Sequence, residues 1–331
     1  MNPFVSVILP VRNGGAYLAE AVASILDQSL DRLELILVND HSDDESIAAI
    51  GRQDKRLCVI DSSGRGVARA FNTGLVQARG QFVARMDADD VSMPNRLEVQ
   101  SRFLKKHPAI DICGACVEIF SQQELAGGNL RYQQWLNNRK TPEQIHRELF
   151  IESPIPNPSA MFRRDAVEKL GGYGDPDWPE DYDLFLRADA AGMSMAKPDG
   201  MLLRWREHPQ RLTRTDSRYD IARFQAAKAH FLATYRLQGR PVVIWGAGPT
   251  GQLMHDLLQA AGVSMRGFVE VHPRRIGGSK RNLPVWPIEQ VTSLENEYVL
   301  VAVGAAGARR EIRSWMDARE KREGRDYLFV A

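Results

Sequence analysis

Cysteine is scarce in this chain: there are three in 331 residues. That is too few for a disulfide framework, so burial must hold the fold together. Net charge is scarce as well. With 43 basic residues against 42 acidic, the chain carries +1, and no global field gathers nucleic acid or an anionic membrane. Long apolar runs are missing, and the N-terminal MNPFVSVILPVRN lacks the basic-then-apolar order of a secretion signal. A cytoplasmic enzyme or binding protein is the expectation. No GxxxxGK[ST] occurs, which argues against a kinase or ATPase built on that phosphate cradle.

Apolar material is plentiful: 44% hydrophobic residues can bury a substantial core, and 331 residues suggest two domains. Two of the cysteines form Cys113-Gly114-Ala115-Cys116 within AIDICGACVEIF, which reads as one strand. Residues three apart on a strand face opposite sides of the sheet. Buried core cysteines are therefore favoured over a metal or redox pair.

The first part of the chain alternates strand and helix signals. Strands are predicted over 4–9, 33–38, 57–60 and 82–86, with helices over 16–26, 44–50, 67–78 and 94–106. This predicts an α/β fold, a mostly parallel sheet with helices on both faces, whose ligands bind beyond the carboxyl ends of the strands. The segments that follow these strands are Pro10-Val11-Arg12-Asn13, Asn39-Asp40, Asp61-Ser62-Ser63-Gly64-Arg65 and Asp87-Ala88-Asp89. Each aspartate alone could cap a helix or turn. Four polar groups on one sheet edge, with Asp90 besides, predict a site.

Three carboxylates within four positions need a positive partner. Hard oxygen ligands suit Mg²⁺ or Mn²⁺ holding a diphosphate. The first strand runs into PVRNGG and not GxGxxG, so this domain is not a dinucleotide fold.

VSVILPVRNGGAYLAEAVASILDQSL, LELILVNDHSDD, GVARAFNTGLVQARGQFVARMDADDVSMPNRLEVQ, NPSAMFRRDAVEKLGGY, PEDYDLFLRA and RWREHP occur in that order. Together they resemble the family 2 glycosyltransferases with the GT-A fold, an αβα sandwich, over about residues 4–215. The resemblance implies an inverting transfer of sugar from a nucleotide diphosphate donor, UDP ahead of dTDP, to an acceptor hydroxyl with a divalent metal, Mn²⁺ or Mg²⁺. It implies a glycan or lipid-linked acceptor in bacterial surface polysaccharide or glycolipid assembly. By the same resemblance Asp40 meets the nucleobase beside Pro10 and Asn13, Asp87-Ala88 lies on the ribose side, and Asp89 ligates the metal with His208 near the diphosphate. Glu180-Asp181 lies near the acceptor with Asp181 as general base, a helix cap being the other reading of that carboxylate. One departure is Phe71, where many relatives carry Arg before the position of Asn72. The helix there is expected to contribute packing, leaving Arg65 and Arg69 as candidate phosphate contacts.

Residues 218–237, RYDIARFQAAKAHFLATYRL, place aromatic and apolar residues at helical spacing. A packing helix is the first reading, and an interfacial helix peripheral to the inner face of the membrane the second. A new pattern then starts. VVIWGAGPTGQLMHDLLQAAGVSMRGFVEVHP is strand, glycine motif (Gly246, Gly248, Gly251), helix, strand and Glu270. It resembles the small nucleotide-sugar-binding domain of bacterial sugar N-acetyltransferases, which implies a binding or assembly role. The expected organisation is a GT-A domain over 1–216, a connecting helix over 217–239 and a small Rossmann-like α/β domain over 240–331. Two competing functions remain at this level: an NAD(P)-linked sugar oxidoreductase centred on Gly246 and Glu270, and a non-catalytic nucleotide-sugar sensor.

Overall fold

The computed structural model describes residues 3–331. The chain divides into two compact units, one running to His146 and resuming over Pro154–Ser217, the other made of Arg147–Ser153 and Arg218–Ala331. The sequence reading had no signal for the short Arg147–Ser153 excursion, whose Ile151 joins the second unit's apolar core.

In chain order, unit 1 contains β1 (Val5–Val11), α1 (Leu18–Leu26), β2 (Leu33–Asn39), β3 (Leu57–Asp61), α2 (Val67–Gln77), β4 (Phe82–Arg85), β5 (Val91–Ser92) and α3 (Arg96–Lys106). Then come β6 (Ile112–Cys113), β7 (Cys116–Phe120), α4 (Gly127–Asn137), α5 (Pro142–Glu148, whose end passes into unit 2), β8 (Met161–Arg163), α6 (Arg164–Lys169), α7 (Glu180–Ala190), β9 (Met195–Ala196), β10 (Met201–Arg206) and α8 (Leu212–Thr215). β1 is buried throughout and β2 nearly so, the continuous apolar pattern of strands covered on both faces. α1 buries Leu18, Ala21, Val22 and Ile25, one stripe at helical spacing.

The main sheet has the order β3-β2-β1-β4-β8-β6-β9, and a smaller one the order β5-β10-β7. β1 to β4 are parallel as expected, but β8 is antiparallel to both β4 and β6, so the sheet is mixed. Two local expectations are corrected. Only Ala48–Ile50 is helical within 44–50, as a single 3₁₀ turn. The Asp44 carboxylate there accepts from the Ser46 hydroxyl at 2.6 Å and from the Gly15 N–H at 3.0 Å, a local alternative to helix. The segment around the cysteines is two strands, because the chain leaves the main sheet after Cys113 and joins the smaller sheet at Cys116. Both thiols are free and buried.

Unit 2 contains α9 (Ile221–Phe231), continued by a π-helical stretch over Leu232–Arg236, then β11 (Val242–Trp245), α10 (Pro249–Ala260), β12 (Met265–Glu270), β13 (Ser279–Lys280), β14 (Leu283–Pro287), β15 (Tyr298–Val301), α11 (Ala308–Asp317) and β16 (Tyr327–Phe329). Its sheet order is β13-β14-β12-β11-β15-β16, parallel except for the β13 edge. α9 packs on α10 and buries Phe231, with Leu232 buried just beyond it, so these side chains serve packing. Among the described residues no helix is long and apolar enough to cross a membrane.

Candidate active site

The carboxyl ends of β1, β2 and β3 are laced together by side chains. The Asn13 amide oxygen accepts from Asp43 N–H at 2.9 Å, and Asn13 N–H donates to the Ser42 hydroxyl at 3.0 Å. Pro10 is buried in register with Val38. Asp40 is buried, and its Oδ2 accepts the Gly66 N–H at 2.9 Å, just before α2. The carboxylate expected to meet a nucleobase therefore also fixes the loop entering α2. Arg65, beside it, is exposed, while Arg69 lies 3.5 Å from Asp175 in a surface ion pair.

The acidic corner after β4 gathers its partners from four elements. Arg85, the last residue of β4, directs Nε and Nη2 at one oxygen of Asp87, Oδ1, each at 2.7 Å. Asp89 Oδ2 lies 2.8 Å from Nε2 of His208. Asp90 is buried, and its Oδ1 accepts the Arg206 N–H at 2.8 Å. The Arg206 guanidinium lies over the Tyr17 and Phe120 rings, donates to the Asp89 carbonyl at 2.7 Å and pairs with Glu20. One oxygen of each carboxylate is thus engaged by a neighbouring group, and the Asp89 carbonyl anchors the loop's backbone.

Three atoms here are orphaned, Arg85 Nη1 among them. Asp90 Oδ2 and His208 Nδ1 are both buried without a hydrogen-bond partner. Burial pushes the Asp90 carboxyl well above its usual range, and the Asp89 and Asp87 charges push it further. Oxygens of Asp87, Asp89 and Asp90 lie within 4.8 Å of one another, the one such cluster among the described residues. Orphaned buried acceptors beside clustered carboxylates are what a cation satisfies.

Sequence reasoning missed Arg85 and Arg206. Arg85 was legible as a charge inside the apolar run FVARM, since arginine is seldom buried unless paired. Its guanidinium lies 5.7 Å from the Phe71 ring centroid and 5.8 Å from that of Tyr173. Phe71, the departure from the family pattern, is buried packing as expected, with the Arg85 guanidinium against its ring. Burial opposes the Arg85 charge, but Asp87, Tyr173 and Glu180 more than offset it and raise its pKa.

Glu180 and Asp181 open α7. Glu180 is buried, and Asp181 Oδ1 accepts the N–H of the adjacent Tyr182 at 2.7 Å; the N-cap of α7 is Pro179, and no side chain caps the helix. Asp183 is committed to structure, bonding Arg187 and Trp178. Tyr173 joins the two sides: its hydroxyl donates to Asn157, and its backbone is clamped by Asn72 at 2.8 and 2.9 Å. Burial raises the Tyr173 pKa beyond its ordinary value, and the Asp181, Glu180 and Asp87 charges add to it while Arg85 opposes.

In unit 2, a Cβ on Gly251 would stand 1.9 Å from the Gly246 carbonyl oxygen, so α10 and the end of β11 require glycine there. Gly248 precedes α10 with nothing within 4 Å of where its Cβ would be. Glu270 is buried, and its two oxygens accept from Arg275 at 2.6 Å and Val271 N–H at 2.9 Å.

Residues 6–171, half the chain, match the model of glycosyl transferase family 2. EpsE of Bacillus subtilis is 30% identical over 228 residues, 66% of this chain and 79% of that protein. The amylovoran biosynthesis glycosyltransferase AmsE of Erwinia amylovora is 29% identical over 194 residues, 57% and 70% of the two chains. Among solved structures, TarS (residues 1–349) of S. aureus in complex with UDP-GlcNAc is similar with a TM-score of 0.58 and 18% identity. That likeness covers 78% of this chain and 72% of the other, and it is a likeness of fold.

Proposed function

Because the chain belongs to glycosyl transferase family 2, we propose that it moves a sugar, with inversion, from a nucleoside diphosphate donor to an acceptor hydroxyl. UDP-sugars are the favoured donors, with dTDP-sugars second. The acceptor is a glycan or lipid-linked sugar of a bacterial surface polysaccharide, in keeping with the name of the relative AmsE. One observation carries the reading: a buried Asp90 oxygen without a partner stands among the Asp87 and Asp89 carboxylates.

Mg²⁺ or Mn²⁺ fits these hard oxygen donors, and Asp87, Asp89 and Asp90 with His208 would hold it. When bound, it supplies positive charge that favours departure of the diphosphate. The chain's own residues do the rest. Asp40 and Pro10 present the nucleobase pocket at the ends of β1 and β2, with Asn13 and Arg65 on its rim. Asp87 and Ala88 border the ribose. Asp181 takes the acceptor hydroxyl's proton on a carboxylate oxygen, with Glu180 beside it. Such a base is worth roughly a hundred- to ten-thousand-fold in rate. In unit 2 the loop of Gly246, Gly248 and Gly251 with Glu270 takes a nucleotide or nucleotide sugar in a binding or assembly role.

The test is release of UDP or dTDP from a panel of nucleotide sugars with Mn²⁺, with and without glycan acceptors. Acceptor-dependent release from at least one donor, lost in Asp89→Ala and Asp181→Ala, is expected. Wild-type turnover in both variants would overturn the site.

A further inference from the structure

Asn72 sits in the middle of α2, where asparagine is a poor helix former because its amide seeks other partners. Its Nδ2 donates to the Tyr173 carbonyl at 2.8 Å, and its Oδ1 accepts the Tyr173 N–H at 2.9 Å. Tyr173 is buried, so this one amide satisfies backbone groups that water does not reach. Its ring packs on that of Phe71, the neighbour of Asn72, with centroids 4.6 Å apart. The approach is close enough to require glycine at position 172, where a Cβ would stand 2.2 Å from Asn72 Oδ1.

The other side of the same turn belongs to α7. Arg187 donates from Nη2 to the Gly172 carbonyl at 2.9 Å and from Nη1 to the Leu170 carbonyl at 2.7 Å. Its Nε donates at 2.7 Å to Asp183, in the first turn of α7 and two residues from Asp181. The peptide group between Gly172 and Tyr173 therefore has its N–H held by α2 and its oxygen held by α7. α2 is itself fixed at its start, where Asp40 accepts the Gly66 N–H at 2.9 Å. A second tie from α2, Arg69 to Asp175 at 3.5 Å, is exposed on both sides, and such pairs contribute little. The amide clamp is the tie that can set a distance.

We propose that Asn72 is a positioning residue for the transfer reaction, registering α7 and its Asp181 against α2 and so against the nucleobase pocket. This rests on the transferase reading. A base misplaced by about an ångström loses much of its rate advantage, while donor contacts made at the ends of β1 and β2 stay in place. Removing the clamp therefore separates kcat from donor affinity. Leucine has nearly the shape of asparagine without its hydrogen bonds, and alanine removes the amide without crowding Gly172.

Three enzymes are compared: wild type, Asn72→Leu and Asn72→Ala, with folding checked by circular dichroism and thermal melting. Per folded molecule, Asn72→Leu lowers kcat on the order of 100-fold, the scale of a misplaced catalytic group. Its donor Kd, from calorimetry with the nucleotide sugar that the wild type turns over, stays within about two-fold of wild type. A lower melting temperature with unchanged kcat means a packing role and overturns the proposal. A donor affinity that falls as far as kcat overturns it too, because Asn72 then serves donor binding. Should Asn72→Leu not fold, Asn72→Ala decides on the same two readings. Should the wild type release no nucleotide from any donor, the transferase reading fails separately, and amide hydrogen exchange over 180–186 reads the clamp by itself. Faster exchange there in the folded variant, beyond its loss of global stability, supports the tie from α2 to α7. Exchange that matches wild type, or only follows global stability, overturns it.

Discussion

The acidic corner of unit 1 and the glycine loop of unit 2 both follow parallel strands, yet they treat their carboxylates in opposite ways. Glu270 has both oxygens satisfied from within its own unit, by Arg275 and Val271. Asp90 is equally buried, but one of its oxygens has no partner, and the neighbouring Asp87 and Asp89 raise the cost of its charge. A protein that satisfies a buried acid has no need of a cation there. One that leaves a buried oxygen bare amid like charges offers a place that a cation would satisfy. The unit 2 loop, by contrast, meets a steric demand first: Gly251 lies where any Cβ would strike the Gly246 carbonyl.

The contrast breaks most decisively at the level of turnover. Asp89→Ala is expected to lower transfer by about 10²–10³-fold, the scale of losing one preorganised electrostatic group at developing charge. Asp181→Asn is expected to lower it by roughly 10²–10⁴-fold as a lost general base. Glu270→Gln should leave transfer within about two-fold, because its carboxylate already answers to Arg275. A large loss for Glu270→Gln, measured as nucleotide release, would erase the distinction between the two regions.

Strand–helix alternation made β1 to β4 legible: β1, β2 and β4 are buried apolar runs that end on polar breaks, and the exposed edge strand β3 still shows as the short apolar run LCVI. The Asp87-Ala88-Asp89 corner was legible for the same reason. β8 was not: Met161–Arg163 is three residues long, and its antiparallel direction comes from the chain returning beside β4, which leaves no local pattern. The partners of the corner were also hidden. Arg206 reaches Asp89 and Asp90 across more than a hundred residues, and only folding brings them together. Arg85 was visible as an anomaly, but the two rings around it come from α2 and the approach to α7.

A smaller effect separates the two kinds of glycine in unit 2. Gly251→Ala forces a contact with rigid backbone and should cost about 1–3 kcal/mol, as overpacking does. Gly248→Ala meets open space at a φ of −76°, which any residue adopts, and should shift stability by less than about 0.5 kcal/mol. Urea denaturation of the two variants checks the difference. If Gly248→Ala also weakens binding of a UDP-sugar to a protein already carrying Asp40→Ala and Asp89→Ala, the loop has a ligand as well as a packing role.

The last expected effect, a dependence on pH, concerns a buried cation in each unit. Lys197 of unit 1 donates to the Leu136 carbonyl at 2.7 Å, and burial brings its pKa down to about 7. Lys228 of unit 2 donates to the carbonyls of Ile151 and Val330 at 2.8 and 3.1 Å. Burial lowers it to about 8, with the Glu152 charge opposing. Each folded-state pKa lies below that of an unfolded lysine, near 10.4. Between those values the unfolded chain holds the extra proton, so stability rises with pH there, by at most about 1.4 kcal/mol per unit for each group. Below the folded pKa both states are charged and the burial penalty is felt in full. Urea midpoints at pH 7, 8, 9 and 10 should therefore climb in the wild type, and Lys197→Met and Lys228→Met should each flatten the climb. Two carbonyls and a carboxylate surround the Lys228 ammonium where one carbonyl meets Lys197, so Lys197→Met should remove the larger share of the slope. An equal or larger change for Lys228→Met would mean that the extra oxygens around it do not hold its proton.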